Sequence, residues 1–322
     1  MSQVNILSLD GGGIRGVMTA EIVRRISEQS PDFVERTTLV AGTSTGGLIA
    51  LALASGIKPS DIVKLYVKRG REIFDDSWWD DVKDVLGLIG ADYDNKGLKR
   101  VLKDAFGETK MSGLKKKVAV AAFDALGRKG TGWCPKVFHN VEGPDSDGKQ
   151  LVRDVALYTC SAPTYFPVAD GYIDGGVYAN NPSMVGLAQA LDSRNESSAL
   201  AGTKVEDIVL LSLGTGDNVN SIGAKNRNAD WGLGQWAKPI IEIMMDGAVG
   251  IADYQCQRLL GDRYMRGNVT FDKYIKMDDV SKIDALVKYG AGNAVQFKCG
   301  TGGAVDLAGA LAWLKKVKWA GA

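Results

Sequence analysis

The sequence predicts an α/β fold, with a mostly parallel central sheet that is covered by helices on both faces. Short apolar runs that end at glycines alternate along the chain with longer stretches whose apolar residues recur at helical spacing. This alternation is typical of parallel strands connected by helices. Glycine is also frequent, at 40 of 322 residues. Average proteins contain about 7%, so the excess indicates many tight turns and close backbone contacts.

The predicted strands are short apolar runs, each followed by a turn-forming segment. Ile208–Leu213 is the clearest of them, because all its residues except Ser212 are isoleucine, valine or leucine. The other predicted strands are Val4–Leu9, Thr38–Ala41, Lys117–Phe123 and a short segment, Tyr172–Asp174, that leads into a turn.

The predicted helices carry apolar residues three and four positions apart, or are apolar on every side. Ile14–Ser30 has such a stripe and stops before Pro31, because proline disfavours helical backbone in the residue that precedes it. Ser44–Ser55 is almost entirely apolar, so we expect a helix that is buried all round. The remaining predicted helices are one that is capped by Ser60 and runs to about Phe74, then Leu151–Cys160, Pro182–Leu191, Ala237–Leu260 and Ala304–Trp319.

One domain is expected over residues 1–322, because no internal repeat and no linker rich in proline or serine divides the chain. The motifs described below lie within residues 4–216, and residues 217–322 are expected to add a helical C-terminal part. The sequence starts without a basic and apolar leader. The charge-free stretch 37–57 has a polar, turn-forming centre that does not suit a membrane span. We therefore expect a cytoplasmic protein.

The charge and the cysteine content exclude several classes of site. Lysine and arginine number 39, and aspartate and glutamate number 38, so no strong positive field indicates a nucleic acid polymer as partner. The four cysteines lie far apart without a CxxC pair, which argues against a disulfide framework or a zinc site. His139 is the single histidine, so a metal site built from several histidines is excluded.

The first predicted strand ends in the motif DGGGIRG, residues 10–16. Gly11, Gly13 and Gly16 match the GxGxxG pattern of dinucleotide-binding folds, and a nucleotide-dependent oxidoreductase is therefore one alternative. That fold also needs an acidic residue at the end of the second strand. Asp32 and Glu35 have about the right spacing, but they precede the second strand instead of ending it. A tight turn between a strand and a helix explains the motif with fewer requirements.

The second predicted strand ends in GxSxG, with Gly42, Ser44 and Gly46. A nucleophile elbow needs small residues two positions before and after the serine, because its strained turn brings the flanking backbones together. The motif lies between a strand and an apolar helix, as this geometry requires. The helix N-terminus would also supply N–H groups for developing negative charge. The simpler alternative is a serine that caps a helix in a glycine-rich turn.

The third motif is Asp174-Gly175-Gly176, and an aspartate before two glycines is usually a turn. A nucleophilic Ser44 would nevertheless need a base. A Ser-His-Asp triad would have to use His139. This histidine lies in the segment PKVFHN, residues 135–140, which is expected to be the end of a strand, where a structural role is more typical. At this point the residues alone leave the base open.

These motifs together resemble the patatin-like phospholipase family. The resemblance runs in order through DGGGIRG, GTSTGG, SAPTYFP at residues 161–167, DGG, NNP at residues 180–182 and SLGTG at residues 212–216. It implies a patatin-like variant of the α/β-hydrolase architecture. It also implies a serine acyl hydrolase that releases fatty acids from phospholipids or glycerolipids without a metal or cofactor. A catalytically silent storage or scaffold protein of the same fold is a further alternative.

The resemblance also implies roles for individual residues. Ser44 would be the nucleophile and Asp174 the base of a Ser-Asp dyad. The loop of Gly11, Gly12 and Gly13 would supply the oxyanion hole, chiefly through the last two glycines, with Arg15 beside it. A carboxylate with an ordinary pKa of about 3.9 is a weak base, so Asp174 is expected to be partly desolvated.

Two segments of opposite charge are candidates for contact with a membrane surface. Residues 72–94 contain eight acidic residues and one lysine. Trp78, Val82, Val85, Leu86 and Ile89 could form a lid or an interfacial helix over residues 75–94, although an ordinary surface helix is the simpler interpretation. Residues 96–117 contain eight basic and two acidic residues, which makes this basic segment the better candidate for lipid headgroups.

Residues 217–322 carry none of the hydrolase motifs, and covering the sheet is their simplest role. The resemblance suggests another one, since some bacterial members of the family stay inactive until a cyclic dinucleotide binds. The basic segment 96–117 could contact the phosphates of such a ligand. A signal-gated enzyme that degrades membranes is therefore a further expectation.

Overall fold

The structure, a computed structural model, describes residues 3–73, 94–127, 130, 132–197, 199–219, 228, 230–236, 239–300 and 302–319. Their strands form one eight-stranded sheet. In chain order they are β1 (Val4–Leu9), β2 (Leu39–Thr43), β3 (Lys117–Asp124), β4 (Cys134–His139), β5 (Tyr172–Asp174), β6 (Ile208–Leu213), β7 (Tyr264–Asn268) and β8 (Gln296–Cys299). No described helix has both the length and the apolar character needed to cross a bilayer.

The sheet is parallel in its centre and antiparallel at its edges. The strand order is β4-β3-β2-β1-β6-β7-β8, with β5 paired to β3. Strands β3, β2, β1, β6 and β7 run parallel to one another. Strands β4, β5 and β8 are antiparallel to their neighbours. The predicted mostly parallel α/β sheet is confirmed.

Helices cover both faces, as the fully buried strands require. Leu7 and Leu9 of β1 belong to one hydrophobic cluster, whereas Val4 and Ile6 belong to a second cluster, because alternate side chains of a strand point to opposite faces. The helices are α1 (Gly16–Gln29), α2 (Phe33–Arg36), α3 (Thr45–Ser55), α4 (Pro59–Ile73), α5 (Lys96–Phe106), α6 (Val152–Cys160), α7 (Gly176–Ala179), α8 (Ser183–Ala190), α9 (Leu233–Trp236), α10 (Pro239–Leu260), α11 (Ile283–Ala291) and α12 (Leu307–Lys316).

The C-terminal part is less helical than the sequence predicts. Residues 217–322 contribute β7 and β8, which extend the central sheet beyond β6, so the expectation of a purely helical addition is wrong. The sequence of β7 is YMRGN and that of β8 is QFKC. Neither has the apolar run that would reveal a strand, because β7 contains a buried arginine and β8 is an exposed edge.

Strand register brings the three sequence motifs to one edge of the sheet. Leu9 pairs with both Gly42 and Leu213, so the turns after β1, β2 and β6 lie side by side. Thr43 pairs with Ala121 of β3, and the next β3 residue, Ala122, pairs with Asp174. The predicted lid residues at 78–89 lie outside the described part of the chain.

Candidate active site

Ser44 occupies a sharp turn between β2 and α3. Its backbone has φ 53° and ψ −125°, a conformation that costs a non-glycine residue about 1–3 kcal/mol and is concentrated at functional sites. Its N–H donates to the Thr159 hydroxyl at 2.8 Å, and that hydroxyl donates to the Ala121 carbonyl at 2.6 Å. Thr159 therefore fixes the turn against α6 and β3, a role that no sequence motif indicates.

The two glycines of GxSxG are required by close backbone contacts. A Cβ at Gly42 would lie 2.4 Å from the carbonyl oxygen of Gly46, and one at Gly46 would lie 2.1 Å from the carbonyl oxygen of Leu9. Real Cβ atoms do not approach backbone this closely. These close contacts explain why the turn has glycine at positions 42 and 46.

We expect Gly46→Ala to lower the free energy of unfolding by about 1–3 kcal/mol or more, because the β1 backbone has to move away from the added methyl group. Gly247→Ala is the matched control, since Gly247 is also helical and a Cβ there would meet nothing within 4 Å. The control should be neutral or up to about 1 kcal/mol more stable, because alanine is the better helix former. Urea unfolding of both variants measures the difference, and equal effects would contradict the close-contact argument.

Asp174 is a buried carboxyl group at the end of β5, with 4% of its surface exposed. Burial raises its pKa to about 6, although hydrogen bonds with the Ser44 side chain and with the Gly176 N–H work in the opposite direction. The Gly176 N–H donates to Asp174 Oδ1 at 2.7 Å. Asp174 is therefore a desolvated carboxyl group next to Ser44.

Cys160 is a further member of the site that the sequence did not indicate. Its thiol lies beside Ser44 and Asp174, and burial together with the Asp174 charge raises its pKa well above the usual value. A thiol with a raised pKa stays protonated and is a poor nucleophile. Ser44 is therefore the better candidate for covalent chemistry at this position.

Ser44 and Asp174 open into one apolar cavity, which we call the Ser44 cavity. The backbone of Gly12 and Gly13 forms part of its wall. Most of the remaining wall is apolar and includes Leu48, Ile73, Leu98, Phe166, Met245 and Met277. A wall of this kind suits a hydrocarbon chain better than a sugar or a nucleotide.

The glycine loop presents only part of its backbone to the Ser44 cavity. Gly11 donates its N–H to the Asn180 carbonyl at 2.9 Å, so it is not available for an oxyanion and does not belong in the predicted hole. Among the described residues, the N–H groups of Gly12 and Gly13 donate to no backbone acceptor. The loop ends where the Ile14 N–H donates to the Met277 carbonyl at 2.7 Å.

Arg15 supports the glycine loop from behind. Its Nε lies 3.4 Å from the Gly12 carbonyl oxygen, and its Nη1 lies 3.4 Å from the Gly216 carbonyl oxygen. The side chain lines a neighbouring polar cavity together with Tyr274 and Asp246. Arg15 therefore contacts the glycine loop through the Gly12 carbonyl, and its guanidinium does not line the Ser44 cavity.

A buried ion pair connects the same loop to β7. The guanidinium of Arg266 contacts both carboxylate oxygens of Asp10, at 2.9 and 2.5 Å, and donates to the Ser212 hydroxyl at 2.7 Å. Asp10 is 2% exposed and Arg266 8%. Arg266, a residue of the C-terminal third, therefore helps to fix the position of the glycine loop, and no motif in the sequence indicates this contact.

The other predicted candidates lie away from this cavity. His139 pairs with Ala119 of β3 and lines a separate surface cavity with Asp147 and Arg194. Burial lowers the pKa of its imidazole. The described residues bring no three His, Cys, Asp or Glu side chains together in a way that could hold a metal ion.

The oxidoreductase alternative finds no support in the geometry. Asp32 forms an ion pair with Arg36 at 2.7 Å, and both it and Glu35 come before β2. The residue that follows β2 is Ser44, at the position where a dinucleotide fold places its ribose-binding acid. The glycine loop faces that serine across an apolar cavity.

The chain belongs to the patatin-like phospholipase family, whose model matches residues 7–186, more than half of the chain. The matched region contains the glycine loop, the GxSxG turn and Asp174. This membership supports lipid acyl hydrolysis as the general class of activity.

Comparison with individual proteins shows relatives of two kinds. A probable inactive patatin, patatin-3-Kuras 1 of Solanum tuberosum, is 30% identical over 289 residues, covering 78% of this chain and 73% of the relative. A cGAMP-activated phospholipase of Pseudomonas aeruginosa (strain BWHPSA011 / Pa011) is 30% identical over 306 residues, covering 91% and 85%. Among solved structures, VipD from Legionella pneumophila is 11% identical with a TM-score of 0.46, covering 93% of this chain and 68% of VipD.

Proposed function

We propose that this protein is a serine acyl hydrolase that releases fatty acids from phospholipids or related acyl lipids. One observation carries the proposal: Ser44, in a strained turn, and Asp174, with its pKa raised by burial, line the same apolar cavity. A silent storage or scaffold protein would need neither a strained serine nor a buried carboxyl group whose pKa is raised by desolvation, both of which cost stability.

In the proposed reaction, Ser44 Oγ attacks the ester carbonyl carbon while its proton passes to Asp174. The N–H groups of Gly12 and Gly13 stabilise the resulting oxyanion. The bond to the alcohol oxygen then breaks, and Asp174 returns the proton to that oxygen, which leaves the acyl group on Ser44. Asp174 next takes a proton from water, the hydroxyl attacks the acyl carbon, and the released Ser44 oxygen recovers the proton.

The covalent role of Ser44 gives a direct test. A fluorophosphonate probe should label the folded protein on the peptide that contains Ser44, because the reagent reacts with activated serines. The Ser44→Ala variant should not be labelled, and it should release no fatty acid from mixed phospholipid vesicles when the products are identified by mass spectrometry. Labelling on another residue, or release of fatty acid by the alanine variant, would rule out Ser44 as the nucleophile.

A membrane surface is the proposed place of action, and the basic segment 96–117 is the proposed contact with lipid headgroups. Three of its eight cations are already paired with acidic residues: Lys96 with Asp94, Arg100 with Glu72, and Lys117 with Glu142. Such exposed pairs contribute little stability, so they can exchange for phosphate groups.

Activation by a cyclic dinucleotide is the second part of the proposal, and the cGAMP-activated relative favours it. We expect such a ligand to raise the melting temperature of the protein and to increase its lipase activity, because a ligand shifts an equilibrium only by binding one state better than the other. The test is to screen cyclic dinucleotides for an increase in melting temperature and then to measure lipase activity with each compound that binds. Full basal activity that no nucleotide changes would contradict the proposed gating.

A further inference from the structure

A second apolar cavity lies directly behind the Ser44 cavity. It lies between α3, α4 and α5, and we call it the α4–α5 cavity. Leu48, Tyr66, Ile73 and Leu98 line both cavities. The two spaces are therefore separated by side chains alone and share one wall.

The α4–α5 cavity has almost no polar group that could hydrogen-bond a water molecule. Tyr66 is the polar side chain among its described lining residues, and its hydroxyl is already bonded to the Thr45 hydroxyl and to the Thr45 carbonyl. Water occupies a cavity when two or more polar groups hold it, whereas an apolar cavity stays dry and takes up apolar ligands. The α4–α5 cavity therefore suits a hydrocarbon.

The direction of the α4–α5 cavity also suits a chain that is attached at Ser44. Leu48 lies one turn beyond Ser44 on α3, and Ala52 lies one further turn away on the same face. At a rise of about 1.5 Å per residue, the eight positions from Ser44 to Ala52 span about 12 Å. Ala105, on α5, lies with Ala52 in the lining of the α4–α5 cavity but not in that of the Ser44 cavity.

Empty apolar space of this kind lowers stability, since each cavity forfeits packing contacts. The helices could have closed the α4–α5 cavity with larger side chains than Ala52 and Ala105. Their small size keeps the space open at its far side.

We propose that the α4–α5 cavity binds the distal part of the substrate's acyl chain, so that residues such as Ala105 set the length of the fatty acid that is released. This rests on the proposed acyl hydrolase function and names its substrate class as lipids with long acyl chains. The chain runs from Ser44 past Leu48 and Tyr66 and ends between α4 and α5.

The test compares Ala105→Leu and Ala105→Phe with the wild type on 4-nitrophenyl butyrate, octanoate and palmitate. The larger side chains fill the far end, so the ratio of kcat/KM for palmitate to that for butyrate should fall about tenfold or more, in the order alanine, leucine, phenylalanine. Val67→Phe is the control, because Val67 is on the outer side of α4 and is 44% exposed. Its ratio should equal that of the wild type. An unchanged ratio in a folded, active Ala105→Phe variant would overturn the proposal.

A binding measurement separates this proposal from the proposed reaction. Displacement of cis-parinaric acid by saturated fatty acids should strengthen about tenfold or more between decanoic and palmitic acid in the wild type. The increase should stop at a shorter chain in the Ala105 variants. Length-dependent binding without any ester hydrolysis would leave the cavity assignment in place and contradict the hydrolase function. If the affinity of the wild type for fatty acids does not depend on chain length, the cavity assignment is overturned. This outcome can be observed even if neither Ala105 variant folds.

Discussion

The Asp174→Asn variant is expected to lose about 10³-fold or more in kcat/KM, because an amide cannot take the proton of Ser44. Asparagine keeps the size of the side chain and an oxygen that can accept the Gly176 N–H, which lies 2.7 Å from Asp174 Oδ1. Rates on a 4-nitrophenyl ester, together with circular dichroism, would distinguish lost catalysis from lost folding. His139→Gln is the control and should retain most activity, since His139 lies in another cavity. If His139→Gln is inactive and Asp174→Asn is active, the base is His139 and the assignment of Asp174 is wrong.

The pH dependence of the wild type follows from the same carboxyl group. Burial raises the pKa of Asp174 to about 6, and only the deprotonated form can act as a base. The value of kcat/KM should therefore rise as the pH increases through about 6 and stay constant above it. A rate that is flat from pH 5 to 8 would contradict a buried Asp174 as the base.

The free energy of unfolding should fall as the pH rises, whereas kcat/KM should rise. The pKa of Asp174 is higher in the folded protein than its ordinary value of 3.8, so the folded state binds more protons between about pH 4 and 6. The free energy of unfolding therefore falls as the pH rises through this window. Asparagine has no charge to bury, so Asp174→Asn should be more stable than the wild type above pH 6, by at most about 3 kcal/mol. The two melting temperatures should converge near pH 4.

The Arg266→Ala variant is expected to lose about 3–5 kcal/mol of stability, because it leaves the Asp10 carboxylate buried without a partner. Arg266 contacts both oxygens of Asp10, which is 2% exposed. Activity should fall as well, since Asp10 directly precedes the glycine loop. Urea unfolding gives the stability change, and ester hydrolysis at a temperature where the variant is folded gives the catalytic one.

Lys298 provides the control for this change. It pairs with Arg266 across the antiparallel strands β7 and β8, but its side chain is exposed. Lys298→Ala should therefore change stability by about 0.5 kcal/mol or less. The double variant Asp10→Asn with Arg266→Met should recover much of the lost stability, because neither charge remains buried. If Arg266→Ala and Lys298→Ala both lower the free energy of unfolding by the same small amount, the ion pair does not stabilise the glycine loop.

The sharp turn at Ser44 was predictable because its requirements are local. Gly42 and Gly46 are each two positions from Ser44 in the sequence, and the contacts that demand glycine involve the adjoining ends of β1, β2 and α3. The strand before the turn and the apolar helix after it are each visible in a few residues. For the same reason, β1, β2, β3 and β6 were predicted to within one or two residues.

Long-range contacts explain what the sequence could not reveal. Gly11 looks equivalent to Gly12 and Gly13 in DGGG, and only the carbonyl of Asn180 distinguishes it. Thr159 and Cys160 reach Ser44 through the packing of α6, and their spacing from the motif carries no signal. From the sequence alone, Arg266 cannot be distinguished from a surface residue. Its burial follows from the pairing of β7 with β6.

The position of β7 bears on how small a working version of this protein can be. The family model matches residues 7–186, and the last recognisable motif ends at Gly216, so a fragment that stops there would contain every signature. Its strand β6, buried along its whole length, would become an unprotected sheet edge of the kind that promotes aggregation. Asp10 would lose its counter-ion and Ile14 its acceptor, the Met277 carbonyl. The smallest autonomous unit is therefore set by the sheet and extends well beyond the residues that identify the family.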